Sequence, residues 1–281
     1  MCKRKITAAF LTAAAAGLCG TRAVSASTIA GWTFENYSAS TQNSPTASTG
    51  TGTADAIGMA TYASTEVGTT DCDVLVGTTG DTGTNSEADL TNTWRVRAQG
   101  TKANGWNSAA PIGAQGAQFA ASTVGYTGPI TVSFDWYDTT QGEAKLQLEY
   151  TDNGTTWTNV SISTGTNSGV STLKNTSSAN TVTGYYADAT AQDWFQGLTA
   201  TINDPLAAGN PLFEIEMVNA ATGTDCVNTG GSALNNSSGN WRFDNIAISG
   251  TAAVPEPASL ALAGIAGLGL LKRNRRIPRA K

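Results

Sequence analysis

The sequence predicts an all-β fold, an antiparallel β-sandwich, and three observations carry that expectation. The first is composition: the 281 residues include 31 Gly, abundant Thr, Ser and Asn, only 13% charged residues and no His. Such usage suits turns and pleated surfaces better than long soluble helices. The second is alternation between residues 130 and 138, with Ile130, Val132, Phe134 and Trp136 on one face and Thr131, Ser133, Asp135 and Tyr137 on the other, the period of a half-buried strand. The third is the number of short apolar runs divided by Gly, Thr, Ser and Asn clusters, the pattern of a sandwich.

The elements follow in order. Strands are expected near residues 29–35, 74–78, 93–98, 118–122, 130–138, 144–150, 156–162, 212–218 and 241–249. Leu146, Leu148 and Tyr150 alternate before Asp152-Asn153-Gly154, and Asn-Gly between two such runs signals a hairpin because both residues tolerate positive φ. Residues 192–198 give a weak helical hint, residues 41–53 read as a low-complexity loop, and Ser237-Ser238-Gly239 and Gly223-Thr224 read as turns. No internal repeat is apparent, which disfavours a solenoid or propeller.

The two ends set the domain limits. Residues 1–26 have the grammar of a secretory signal helix: Lys3-Arg4-Lys5, an apolar stretch over 6–18, and small residues at Val24 and Ala26 before Ser27. Residues 27–253 form the exported domain, and residues 254–281 form a tail. That tail runs Val254-Pro255-Glu256-Pro257, a hydrophobic segment over 258–271 and a basic end over 272–281. As a helix the hydrophobic segment is about 21 Å long against a hydrocarbon core of about 30 Å, a marginal transmembrane span. The basic end stays cytoplasmic under the positive-inside rule, which puts the domain outside. An uncleaved N-terminal anchor and an ordinary tail anchor are the alternatives these residues leave.

Charge narrows the partners. Six Lys and Arg stand against 20 Asp and Glu between Ser27 and Ala253, about −14 formal charge for the exported part. Such a surface repels phosphate backbones, so nucleic acid is excluded as a partner, while divalent cations would relieve its self-repulsion.

The order Pro-Glu-Pro, short apolar segment and Arg-rich end resembles the PEP-CTERM sorting tail. The resemblance implies that Pro255, Glu256 and Pro257 are recognition residues for exosortase, a membrane-embedded transpeptidase, and it links the chain to bacteria that make extracellular polysaccharide. Gly31-Trp32-Thr33-Phe34-Glu35, the hairpin of residues 146–157 and Trp241-Arg242-Phe243-Asp244-Asn245-Ile246 are together similar to the jelly-roll modules of extracellular proteins and carbohydrate-binding modules. That likeness implies neighbouring first and last strands and a structural calcium on an early acid and a late Asp. Glu35 and Asp244 occupy those positions, and solvated strand-end acids are the other reading of the same pair.

Signal removal leaves Cys72 and Cys226, and export permits a disulfide between them that would stabilise the fold by about 3 to 5 kcal/mol. A reactive thiol is disfavoured by the flanking Asp71, Asp73 and Asp225. Without His, Cys-His and Ser-His-Asp chemistry is ruled out. Carboxylate chemistry remains for a glycan-active hydrolase, with Asp135, Glu143, Glu149, Glu214 and Glu216 as candidates and none of them set apart. Trp106, in the polar stretch Asn104-Gly105-Trp106-Asn107, is the candidate platform for stacking on sugar rings. The expectation is a non-enzymatic cell-surface or extracellular-matrix protein that binds glycan. The alternatives are the hydrolase and a purely structural matrix or adhesion protein.

Overall fold

The computed structural model describes residues 25–38, 40–41, 44–59, 72–76, 92–97, 105–163, 172–174, 178–187, 194–237 and 239–253. The signal segment up to residue 24 and the tail from residue 254, with Pro255, Glu256 and Pro257, lie outside the described residues. Two antiparallel sheets face each other. The first contains β1 (Ala26–Trp32), β2 (Ser40–Thr41), β3 (Thr49–Gly50), β5 (Asp73–Val76), β6 (Asn92–Arg97), β9 (Tyr126–Asp138), β14 (Trp194–Ile202) and β17 (Asn240–Ala252). The second contains β4 (Thr53–Ile57), β8 (Gly116–Ala120), β10 (Lys145–Thr151), β11 (Thr158–Val160), β12 (Thr172–Lys174), β13 (Tyr185–Ala187) and β15 (Glu214–Asn219). A small ribbon pairs β7 (Trp106–Asn107) with β16 (Asn235–Ser237).

The long strands β8, β9, β10, β14, β15 and β17 alternate between the sheets along the chain, the crossing pattern of a jelly-roll-like sandwich. The expected sandwich is the observed one, and its first and last strands are neighbours. β17 pairs with β9 along one edge, and its other edge is shared by β6, against residues 240–243, and β1, against residues 246–251.

The alternation read in β9 is the core of the fold. Ile130, Val132, Phe134 and Trp136 are buried and meet aromatic rings from both sheets. Trp32 and Trp94 pack edge-on against Phe119, Phe119 against Phe243, and Trp136 against Trp241 and Tyr186, with centroids 5.1 to 6.1 Å apart. Edge-to-face pairs at these spacings add to area burial because a positive ring edge meets a negative face.

Asp135 faces away from that core yet is 5% exposed, and it holds two bulges at once. β14 carries an extra residue between Phe195 and Leu198, and β17 carries one between Asp244 and Ala247, both opposite the same point of β9. Asp135 Oδ1 accepts the Gly197 N–H at 2.6 Å and Oδ2 accepts from Asn245 Nδ2 at 3.0 Å. Gly197 and Asn245 have φ of 63° and 49°, the left-handed region that Gly and Asn tolerate best.

The bulge also corrects the helical hint over 192–198, which is strand β14. Phe195 and Leu198 are both buried. The extra residue puts them three apart, which imitates helical spacing. The loop read over 41–53 includes β3, and the hairpin at Asn153-Gly154 joins β10 to β11 with Asn153 Oδ1 accepting the Thr155 and Thr156 N–H groups.

Asp135→Ala strips the acceptor from both bulges, and a hydrogen bond to a charged group contributes roughly 1.5 to 3 kcal/mol. The expected loss is about 3 kcal/mol or more of unfolding free energy, measured by urea denaturation. Asp135→Asn, which keeps one acceptor oxygen, should lose less.

Candidate functional site

Strand register brings a row of polar side chains together on the outer face of the second sheet. Five strands align Asp55 of β4, Gln118 of β8, Glu216 of β15, Glu149 of β10 and Asn159 of β11 directly opposite one another. Adjacent strands lie about 4.8 Å apart, so the row runs roughly 19 Å across the sheet. The reason is period two: the flanking Ala54, Ala56, Ala117, Phe119, Ile215, Met217 and Leu148 fill the core, which leaves their neighbours on the opposite face.

Side-chain bonds tie the row to the residues beside it. Gln118 Nε2 donates to Glu214 Oε2, and Asn159 Nδ2 donates to Gln147 Oε1 at 3.1 Å. Gln147 is fully buried, and among the described residues its Nε2 has no hydrogen-bond partner. Gly113 closes over this end, since a Cβ there would stand 3.4 Å from Glu149 Oε2 and 3.8 Å from Gln147 Nε2. Near Glu214 the face meets a cleft of about 410 Å³ bordered by Thr53, Ala120, Pro211, Leu212 and Phe213.

Burial favours the protonated form of two acids in the row. Burial, then the neighbouring Glu149 and Glu214, push Glu216 up to about 8, and burial raises Glu149 as well. At neutral pH the Glu216 carboxyl is therefore largely protonated and can donate a hydrogen bond, while Gln118 and Gln147 supply amide donors and acceptors. The sequence reading found Glu149, Glu214 and Glu216 but missed Asp55, Gln118, Gln147 and Asn159. Asp55 and Gln118 alternate with small Ala residues, a weak signal, and Gln147 and Asn159 lack the charge that makes acids conspicuous.

Other expected site residues lie elsewhere. Trp106 is not an exposed platform: it is fully buried, with its ring 4.4 Å from that of Trp241. The polar residues around it hid an apolar seat between β7 and the core. Trp32, Trp94, Trp136 and Trp241 are likewise fully buried, and Trp157 is half-buried.

The expected disulfide is not formed. Cys72 and Cys226 are buried and not joined to each other: Cys72 Sγ donates to the Arg97 carbonyl at 3.8 Å and Cys226 Sγ to Glu143 Oε2 at 2.7 Å. Burial, then the Glu143 carboxylate, pushes the Cys226 thiol up, so it sits as an inert donor.

Glu35 is exposed at the end of the first strand, and its Oε1 accepts the Asn92 N–H at 3.0 Å. Asp244 is buried, and its Oδ1 accepts the Asn245 N–H at 2.7 Å. Among the described residues no group of three or more His, Cys, Asp or Glu is arranged to hold a metal ion. Of the acids considered for hydrolysis, Asp135 is engaged by the two bulges, and Glu143 is enclosed under Trp241, whose Nε1 donates to the Glu143 carbonyl at 2.7 Å.

Glu143 is also raised, to about 8, chiefly by burial. Both Glu143 and Glu216 thus hold protons in the folded state that the unfolded chain releases above about 4.5. Where the folded state binds more protons, stability falls with pH. The thermal midpoint should fall between pH 5 and pH 8, and Glu143→Gln and Glu216→Gln, isosteres of the protonated acid, should each flatten that fall in a calorimetric pH series.

Beyond the domain, residues 253–276 match the family model described as the PEP-CTERM protein-sorting motif. No curated protein matches the chain. Among the described residues no helix is long and apolar enough to cross a membrane, and the expected hydrophobic segment over 258–271 lies outside them. The match agrees with the order of Pro-Glu-Pro, apolar and basic elements. The protein is accordingly a β-sandwich that carries a PEP-CTERM tail, the signal for exosortase recognition, export and C-terminal membrane anchoring at the cell surface or beyond it.

Proposed function

We propose that the exported domain is a non-catalytic surface module that contacts extracellular polysaccharide through the outer face of its second sheet. The observation that supports this reading is the row Asp55–Gln118–Glu216–Glu149–Asn159, carboxyl and amide groups held in register across five strands. Sugar hydroxyls are both donors and acceptors, and a line of groups that can give or take hydrogen bonds suits a chain of them. Trp106, the stacking platform expected from the sequence, is buried and takes no part in this face. Contact here is polar, with side chains fixed by strands rather than by loops.

A second reading is kept by one observation. Glu149 and Glu216 are direct cross-strand neighbours, and Glu216 is raised to about 8, the pairing of a protonated acid with a second carboxyl that glycoside hydrolysis uses. The same experiment separates the two. The mature protein is incubated with acidic and neutral polysaccharides, and both retention and release of new reducing ends are measured. Retention weakened about tenfold by Gln118→Ala with Glu149→Ala, a loss of about 1.4 kcal/mol, with no reducing ends released, is the expected result. Reducing ends that disappear in Glu216→Gln would make the protein a hydrolase. Absence of both leaves a structural matrix role.

A further inference from the structure

The last strand leaves the sandwich at a defined place. Ala252 pairs with Tyr126, and the Ala253 N–H donates to the Gly125 carbonyl at 2.8 Å. Between Ala253 and the hydrophobic segment that begins at Ala258 lie only Val254-Pro255-Glu256-Pro257. At roughly 3.6 Å per residue for a fully extended chain, the distance from Ala253 to Ala258 is at most about 18 Å. While the tail is anchored, the end of the domain that carries Gly125 is therefore held close to the bilayer.

That end is chemically unlike the rest of the surface. Among the described residues the exposed large hydrophobic side chains are Val124, Leu206 and Leu212, at 58, 64 and 56% exposure. All three lie on two segments, 121–126 and 203–213, which one residue binds together. Thr123 Oγ1 donates to the Ala207 carbonyl at 2.6 Å, the Thr123 N–H donates to the Asn210 carbonyl at 2.8 Å, and the Asn210 N–H donates back to Thr123 Oγ1 at 2.9 Å. The Ala121 N–H donates to the Phe213 carbonyl at 3.1 Å, which continues the seam to the cleft beside Leu212. The three side chains are thus presented on a braced platform. Neither segment contains Lys or Arg, and Asp204 lies within one of them, so anionic headgroups gain nothing here.

We propose that this end is a membrane-contacting face: with the tail anchored, Val124, Leu206 and Leu212 rest in the headgroup–acyl boundary and fix the tilt of the domain. The occupant is the lipid interface because the short spacer leaves the platform within reach of it, and apolar side chains at that depth gain by leaving water. The contact is weak alone and acts through the high local concentration that the tail provides. The proposal rests on the sorting-tail reading and not on the polysaccharide reading.

The test uses the mature chain, residues 27–281 with its tail, reconstituted in phosphatidylcholine vesicles, with a polarity-sensitive fluorophore at Leu206→Cys or, on the opposite end of the sandwich, at Ser232→Cys. Flotation with the vesicles reports tail insertion. Aqueous quenching reports the face, expected to be about threefold slower at position 206 than at position 232, independent of salt. Adding Val124→Ser and Leu212→Ser should bring the two rates together while flotation persists. Equal quenching in floated protein overturns the contact alone. Protein that does not float overturns the anchoring reading and the contact with it. Protection at position 206 that grows with the protein-to-lipid ratio assigns the platform to a second copy and also overturns it.

Discussion

A single carboxylate on the central strand decides whether the first sheet can exist in this form. Asp135 takes one hydrogen bond from the bulge of β14 and one from the bulge of β17, so both neighbours of β9 are locked at the same height. Each bulge re-aims the strand that carries it. In β17 the change falls where its outer edge passes from β6 to β1, between Phe243 and Ile246. Phe34, just beyond β1, has φ of 58° and its carbonyl accepts from Asn92 Nδ2 at 3.1 Å, so the first strand turns away as β6 takes over. Residue type alone had grouped Asp135 with catalytic candidates, whereas the structure shows it as a buried acid with two fixed donors.

How far the fold could be read from the sequence depended on whether a strand stayed regular. β9 alternates without interruption over its inner residues, and β10 and β15 nearly so, and each was recognised close to its true extent. β14 is as well buried, but its extra residue at Gln196-Gly197 breaks the period of two and leaves Phe195 and Leu198 at helical spacing. Nothing in residues 192–198 announces that Asp135, some sixty positions earlier, waits to accept the Gly197 N–H. β4 failed for another reason: its inner residues are Ala54 and Ala56, too small to stand out among Thr and Gly.

The site was legible by parts and not by arrangement. Glu149, Glu214 and Glu216 were named because acids are conspicuous, yet their shared row exists only through pairing of β10 with β15, and sequence does not reveal which strands pair. Trp106 misled because polar neighbours usually mean exposure, whereas its strand pairs with β16 and its ring packs at a tilt against Trp241. Cys226 was expected to seek Cys72 and instead donates to Glu143, whose carboxyl stays buried by holding its proton. Partner choice in both cases is a long-range outcome.

The place of β17 in the chain constrains when the domain can form. β1 reaches the rest of the first sheet through β17, with Ala26 opposite Thr251 and Trp32 opposite Ile246, and β9 meets β17 along most of its length. The strand between them is the last one before the sorting tail, so the sheet stays open until nearly the whole domain is across the membrane. Such long-range closure is slow, because its entropy cost comes before its contacts. The β1, β6 and β9 pairings of the first sheet therefore all wait on a strand made last. The strand that closes the sheet leads in sequence directly into Val254-Pro255-Glu256-Pro257, and it ends where the first strand sets out, with Ala26 opposite Thr251.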